Sequence, residues 1–243
     1  MNRKWKVPRR KRPTKGRRLR RNFRPLSMTK STGSLTLCRK TNSCYIASSS
    51  VQGTPLVVAG AGVSPAWLSL GTPIPINGSN YDVPFAMEFA MSDIIAHADV
   101  VNIADQYKIN GVQISINYNS NSADVNGPAS MPGIYYIQDH DDAGVQTLAN
   151  TRARMGLKYK SWGSNRTHIS FTVRPKPAPL IYTGAGAGYS IPLTTTWLNT
   201  LNPDVPHYGI RGYFTNMYLP GAKDQASLFA FDITYSITAK DLE

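Results

Sequence analysis

The chain has 243 residues, 41% of them hydrophobic, and 27 Lys and Arg against 14 Asp and Glu, for a net charge of +13. Sixteen of the 27 cations fall in residues 1–40, which hold no acid, so residues 41–243 keep 11 cations and 14 acids, 11 − 14 = −3. A surplus confined to one end excludes an all-round basic protein of the histone type and argues against an extended nucleic-acid-binding surface on the body.

Residues 1–24 read MNRKWKVPRRKRPTKGRRLRRNFR and contain 13 Lys and Arg. Like charges this dense repel one another, and Pro8, Pro13 and Gly16 break any helix, which predicts a disordered arm over residues 1–32. Neither a secretory signal, with its apolar run, nor an amphipathic mitochondrial presequence fits the stretch. The expected partner is a polyanion. The candidate nucleic-acid-binding residues are Arg3, Lys4, Lys6, Arg9, Arg10, Lys11, Arg12, Lys15, Arg17, Arg18, Arg20, Arg21 and Arg24. Arg outnumbers Lys among them, and its planar guanidinium both pairs bidentately with phosphate and stacks on bases, which suits single-stranded nucleic acid. Trp5 and Phe23 are candidate stacking platforms, although Phe23 serves equally well as an anchor of arm to body. A basic run of this kind is also what a nuclear import receptor reads.

The body, residues 33–243, is long enough for one large core and shows two-residue alternation with little helical periodicity. A strand is expected over 34–48. It contains the two cysteines, Cys38 and Cys44, too few for a disulfide scaffold or for a zinc site without histidine help. On one extended strand they stand about 20 Å apart, so ordinary thiols are expected. A long loop is expected over 50–83. Within it the most apolar stretch, 55–71, is interrupted by Gly and Pro and too short to cross a bilayer, so no membrane insertion is expected. Its segment GAGVSP (60–65) fails the dinucleotide fingerprint, because Pro65 stands where the third glycine belongs.

A strand is expected at 84–91, then a short helix over 93–104 with Ile94, Ile95, Ala98 and Val101 on one side. In the next strand Val112, Ile114, Ile116 and Tyr118 share a face while Tyr107 and Ile109 have the opposite parity, which predicts a bulge near Asn110-Gly111. After a loop at 119–132 comes a strand at 133–139, ending in Asp139-His140-Asp141-Asp142. That cluster reads chiefly as a turn whose Asp side chains accept local backbone N–H groups, with a hard-cation site as the lesser alternative. Loops at 142–155 and 175–193 flank a strand at 167–173 with Ile169, Phe171 and Val173 inward. The glycine run 184–188 sits in the second loop and lacks the fingerprint spacing. Strands at 194–198 and 208–216, a loop at 217–226 and a strand at 229–237 complete the chain. About eight strands with long Gly, Pro, Ser and Asn loops predict an all-β antiparallel sandwich, with the eight-stranded jelly roll the prime candidate.

No catalytic constellation emerges, since His97, His168 and His207 are scattered and none pairs in sequence with a nucleophile. No cofactor or metal is expected, and the protein is not expected to be an enzyme.

The order of these pieces resembles the capsid proteins of circoviruses and related small circular single-stranded DNA viruses. The Arg-rich arm is followed by Leu35-Thr36-Leu37-Cys38-Arg39-Lys40 and by the strand Tyr107-Lys108-Ile109-Asn110-Gly111-Val112-Gln113-Ile114, which is similar to that family's fourth jelly-roll strand. Ile134-Tyr135-Tyr136-Ile137-Gln138 runs into the aspartates as the family's next strand does. Arg174-Pro175-Lys176-Pro177, Trp197-Leu198, Asp204-Val205-Pro206-His207-Tyr208-Gly209-Ile210 and a final long strand at 227–238 follow in order. Residues 50–83 have no clear counterpart, and the arm is shorter than is typical, so a circovirus-like relative fits best.

The resemblance implies an eight-stranded jelly roll that self-assembles into an icosahedral shell of roughly 60 copies. Its arms would lie inward on viral single-stranded DNA and its loops outward. It also implies host import receptors and an unidentified host cell receptor as partners, and residence in the virion and, during assembly, the host nucleus. Loops 50–83, 119–132 and 183–190 are the candidates for the outer surface. The rival readings are a monomeric nucleic-acid-binding protein of the ribosomal type with a basic tail, and a jelly-roll module for carbohydrate or receptor. The net-negative body speaks against the first, because such proteins extend their basic surface onto the folded domain.

Overall fold

A computed structural model of the chain describes residues 34–41, 43–59, 65–119, 131–140, 144–163, 166–178, 180–183, 186–189, 197–221 and 227–242. Nine strands build the frame: β1 (Ser34–Lys40), β2 (Cys44–Ser48), β3 (Asn80–Phe89), β4 (Ala104–Tyr118), β5 (Gly133–Gln138), β6 (Lys158–Ser161), β7 (His168–Val173), β8 (His207–Tyr218) and β9 (Ser227–Leu242). β1 and β2 lie end to end along one edge of β9, β1 pairing with 234–240 and β2 with 227–231, so together they act as one interrupted strand.

Counted that way the frame has eight antiparallel strands in two sheets. One sheet runs β7-β4-β9 and then β1 with β2, and the other runs β3-β8-β5-β6. In chain order these are strands six, three, eight and one in the first sheet, and two, seven, four and five in the second. First pairs with eighth, second with seventh, third with sixth and fourth with fifth, which is the pairing of one long hairpin rolled upon itself. That is the jelly roll.

Alternation explains why these segments become strands and which face they bury. On β9, Phe229, Phe231, Ile233, Tyr235 and Ile237 are buried while the residues between them are not. On β4 the parity changes where the sequence predicts it. Ile109 sits opposite Ile237 and Gly111 opposite Ser236, leaving Asn110 as the extra residue of a bulge. The bulge returns Val112, Ile114 and Ile116 to the core and lets the Asn110 amide donate to Thr238 Oγ1 at 2.7 Å. Between the sheets Phe229 meets Phe214 at 5.2 Å, Trp162 at 4.9 Å and Tyr118 at 5.4 Å between ring centroids.

Several expectations are corrected. The frame includes Lys158–Ser161, which the alternation missed; of the strand expected at 194–198, residues 194–196 lie outside the described residues, and Leu198 with Asn199 forms a two-residue ladder on β4. β3 begins at Asn80 rather than at 84. The expected helix over 93–104 shrinks to a 3₁₀ turn at Met91–Asp93 and a five-residue α1 (His97–Val101). Ala96 between them takes a left-handed φ of 58°, which an α-helix cannot continue through.

Residues 50–83 are not one loop. They hold the short strands Pro55–Ala59, Leu68–Leu70 and Ile74–Asn77 and a buried Trp67 that packs on Phe231. The expected loop at 142–155 contains α2 (Leu148–Arg152), and the one at 175–193 contains Lys176–Pro177 and a hairpin of Leu180–Thr183 with Gly186–Tyr189. β8 extends to Tyr218, into the expected loop at 217–226. The loop at 119–132 and the segment 60–65 lie almost wholly outside the described residues.

His207 opens β8 fully buried, its ring Nδ1 2.9 Å from the Val205 carbonyl oxygen. Burial favours the neutral ring and pulls its pKa from 6.5 down to about 4. Between those values the unfolded chain binds a proton that the folded chain refuses, so stability is complete above pH 6.5 and falls as the pH drops toward 4. Relative to His207→Gln, the wild type is expected to lose on the order of 2–3 kcal/mol of unfolding free energy between pH 7 and pH 4. Urea melts of both proteins at each pH read this, and a parallel pH dependence would show that another group is responsible.

Candidate assembly and nucleic-acid surfaces

All thirteen arm cations from Arg3 to Arg24, with Trp5 and Phe23, lie outside the described residues. The chain enters the sandwich at Ser34, opposite Lys240 on β9. The arm therefore joins the body at the end of the first sheet where β9 finishes and β4 begins.

The outer face of that sheet is a hydroxyl and amide surface. Thr36 bonds Thr238 at 3.2 Å, Gln113 and Ser115 both donate to Ser170 Oγ at 3.3 Å, and His168 Nδ1 is 2.9 Å from Asn117 Oδ1. Register places Lys40, Lys108 and Lys240 on the same face, Lys108 and Lys240 near the arm's root and Lys40 at the other end of β1, and Lys240 Nζ stands 4.9 Å from the Trp197 ring centroid. Sequence reasoning passed over these three lysines. Their parity is visible in the chain, but that they share one face of one sheet depends on which strands are neighbours.

The outer face of the second sheet is covered by residues 144–157, and here Asp139 makes ion pairs that its local sequence does not announce. Asp139 is buried and ion-paired to Arg154 of the covering segment and to Arg211 of β8, the latter at 3.3 Å. Asp82 of β3 is likewise buried and ion-paired to Arg152 of α2. Both carboxylates thus tie the covering segment down. Asp141 and Asp142 lie outside the described residues. Beside this network Tyr159, Tyr135 and Tyr213 stack across three neighbouring strands at 4.4 and 4.7 Å, with the Arg152 guanidinium 5.4 Å from the Tyr213 ring. Gly133 makes room for the ladder, since a Cβ there would come within 2.6 Å of the Tyr159 ring.

The remaining titratable groups are placed by packing. Cys44 is buried and its thiol is pushed up to about 12 by desolvation, Cys38 is exposed, and both are free. Among the described residues no three His, Cys, Asp or Glu side chains group as a metal site requires. His168 is exposed on β7, and His97 lies on α1.

A two-sheet roll whose two buried aspartates, Asp82 and Asp139, are held in internal ion pairs is an architecture for packing, and the family comparison agrees. The model of the circovirus capsid protein matches residues 3–243, which includes the arm. The chain belongs to the circovirus capsid protein family. It is accordingly a structural protein of the virion and not an enzyme.

Among solved structures the chain is similar to the 60-mer BFDV capsid protein, with 14% identity and a TM-score of 0.52 over 86% of this chain and 95% of that one. It is also similar to the decameric BFDV capsid protein, with 14% identity and a TM-score of 0.47 over 85% and 99%. At this identity the first likeness bears on the fold alone, and it agrees with the jelly-roll pairing. None of the curated proteins matches the chain.

Proposed function

We propose that this capsid protein closes into an icosahedral shell of about 60 copies and packages circular single-stranded DNA through residues 1–32, with residues 33–243 forming the shell wall. The observation that carries this reading is the charge partition, 16 cations and no acid in residues 1–40 against a net −3 beyond them. A relative that assembles as a 60-mer supports the copy number. Sixty arms would supply about 1,000 positive charges, enough to neutralise a single-stranded genome of the kilobase range to within a small factor. Neutralisation of that kind is largely blind to sequence.

The same basic run, exposed before assembly, serves as a nuclear import signal, which places assembly in the host nucleus. An unidentified host cell receptor is met by the outer surface. Electron microscopy of the purified protein with nuclease challenge tests the reading. Closed particles that protect DNA are expected, and a monodisperse monomer at high concentration would overturn it.

A further inference from the structure

The body's charge is not evenly mixed. Residues 82–105 hold five acids and no Lys or Arg, whereas residues 143–203 hold seven Lys and Arg and no acid. Apart from the Asp82–Arg152 pair, folding separates these acids from the cations of β6. Glu88 at the end of β3, Asp93 in the 3₁₀ turn, Asp99 on α1 and Asp105 at the start of β4 gather with Asp204 at one corner of the sandwich. Segment 200–204 stitches that corner together, Thr200 N–H donating to the Asp105 carbonyl and Ser92 N–H to that of Pro203. Crowding shows in their titration, with Asp93 raised by burial and by Asp204, and Glu88 by burial and by Asp93.

The corner is also apolar. Leu201 is 76% exposed and Ile95 51%. Leu201 borders a cavity of about 270 Å³ shared with Ala98, Val101 and Pro203, and a second of about 260 Å³ shared with Ala178 and Val205.

The complementary set lies on the edge strand β6 and its flank. Lys158, Lys160 and Arg166 crowd one another there, so that burial and then the charges of Arg166 and Lys158 lower the Lys160 pKa. Between them Tyr159 is 51% exposed, and Met155 nearby is 94% exposed. In the second sheet β6 is separated from β3 by β5 and β8, three strand spacings or about 14 Å, so the edge cannot reach its own chain's corner.

We propose that the acidic corner of one chain docks on the basic β6 edge of a second copy, Leu201 against Tyr159 and Met155, with Asp99 and Asp204 facing Lys158 and Arg166. Because corner and edge are different surfaces the contact is head-to-tail, the kind that closes rings. Side chains carry it rather than strand addition, since alternating lysines on a four-residue edge oppose pairing with another strand. The inference rests on the shell-forming reading above.

Charge exchange in the full-length chain tests it. Asp99→Lys with Asp204→Lys, and separately Lys158→Glu with Arg166→Glu, are each expected to raise the protein concentration needed for particles by about tenfold or more while the melting temperature shows both variants folded. All four substitutions in one chain restore assembly. Rescue is the discriminating result, because a corner that instead held the basic arm, or an edge that held nucleic acid, would not recover when both signs are exchanged. Single reversals that assemble like the wild type, an edge reversal that loses only particle-bound DNA, or a fourfold variant that stays unassembled would each overturn the contact. Failure of the wild type itself to assemble would instead sink the shell reading.

Discussion

A chain lacking residues 1–24 is expected to bind single-stranded DNA about 500-fold more weakly than the full chain at low salt and to unfold at the same temperature. Stability is expected to be spared because, among the described residues, the pairing of β1 starts at Ser34 and the buried core begins with Leu37. Binding is lost because the deleted segment holds 13 of the chain's 27 cations, with no acid to oppose them. For single strands the logarithm of affinity falls with the logarithm of salt by about 0.7 per phosphate neutralised. If half of the arm's charges engage, full-length affinity falls about 500-fold between 50 and 200 mM salt. Fluorescence anisotropy with labelled oligonucleotides of several sequences measures both the loss and the slope. Salt-resistant binding by the truncated chain would move the site onto the body, where Lys40, Lys108 and Lys240 share the outer face of the first sheet.

The charge partition was legible because its signal is composition, which needs no fold to read. β4 and β9 were legible too, each being long and buried on one face only, and even the bulge at Asn110 showed as a change of parity before any partner strand was known. β6 was invisible for a physical reason. It is an edge strand with one neighbour, and Lys158-Tyr159-Lys160-Ser161 offers no apolar alternation because little of it is buried.

Asp139 could be seen as part of a charged cluster, but its partners lie 15 and 72 residues further on, a relation that only the roll creates. The acidic and basic blocks of the body were in the sequence as well. Averaging residues 41–243 to −3 concealed them.

Asp139→Asn is expected to cost about 3–5 kcal/mol of folding free energy, and Asp82→Asn, at an equally buried carboxylate, only about 1–2 kcal/mol. The difference lies in what each leaves behind. Arg152, the partner of Asp82, has 53% of its side chain exposed and can turn its guanidinium into water. Arg211, a partner of Asp139, has 3% exposed, and Arg154 has 31%, so the substitution takes a paired negative charge away from a cation that water cannot reach. Breaking a buried pair is costly for that reason, while replacing the whole pair need not be. Adding Arg211→Met to Asp139→Asn should therefore recover most of the loss. Urea unfolding with an unchanged m-value checks the series. Equal costs at Asp82 and Asp139, or no recovery in the double variant, would show that the loss does not come from the buried Asp139–Arg211 pair. A loss of about 4 kcal/mol is a large part of the 5–15 kcal/mol available to a domain of this kind. The same substitution should therefore deplete assembled particles at 37 °C even though Asp139 touches no proposed subunit contact.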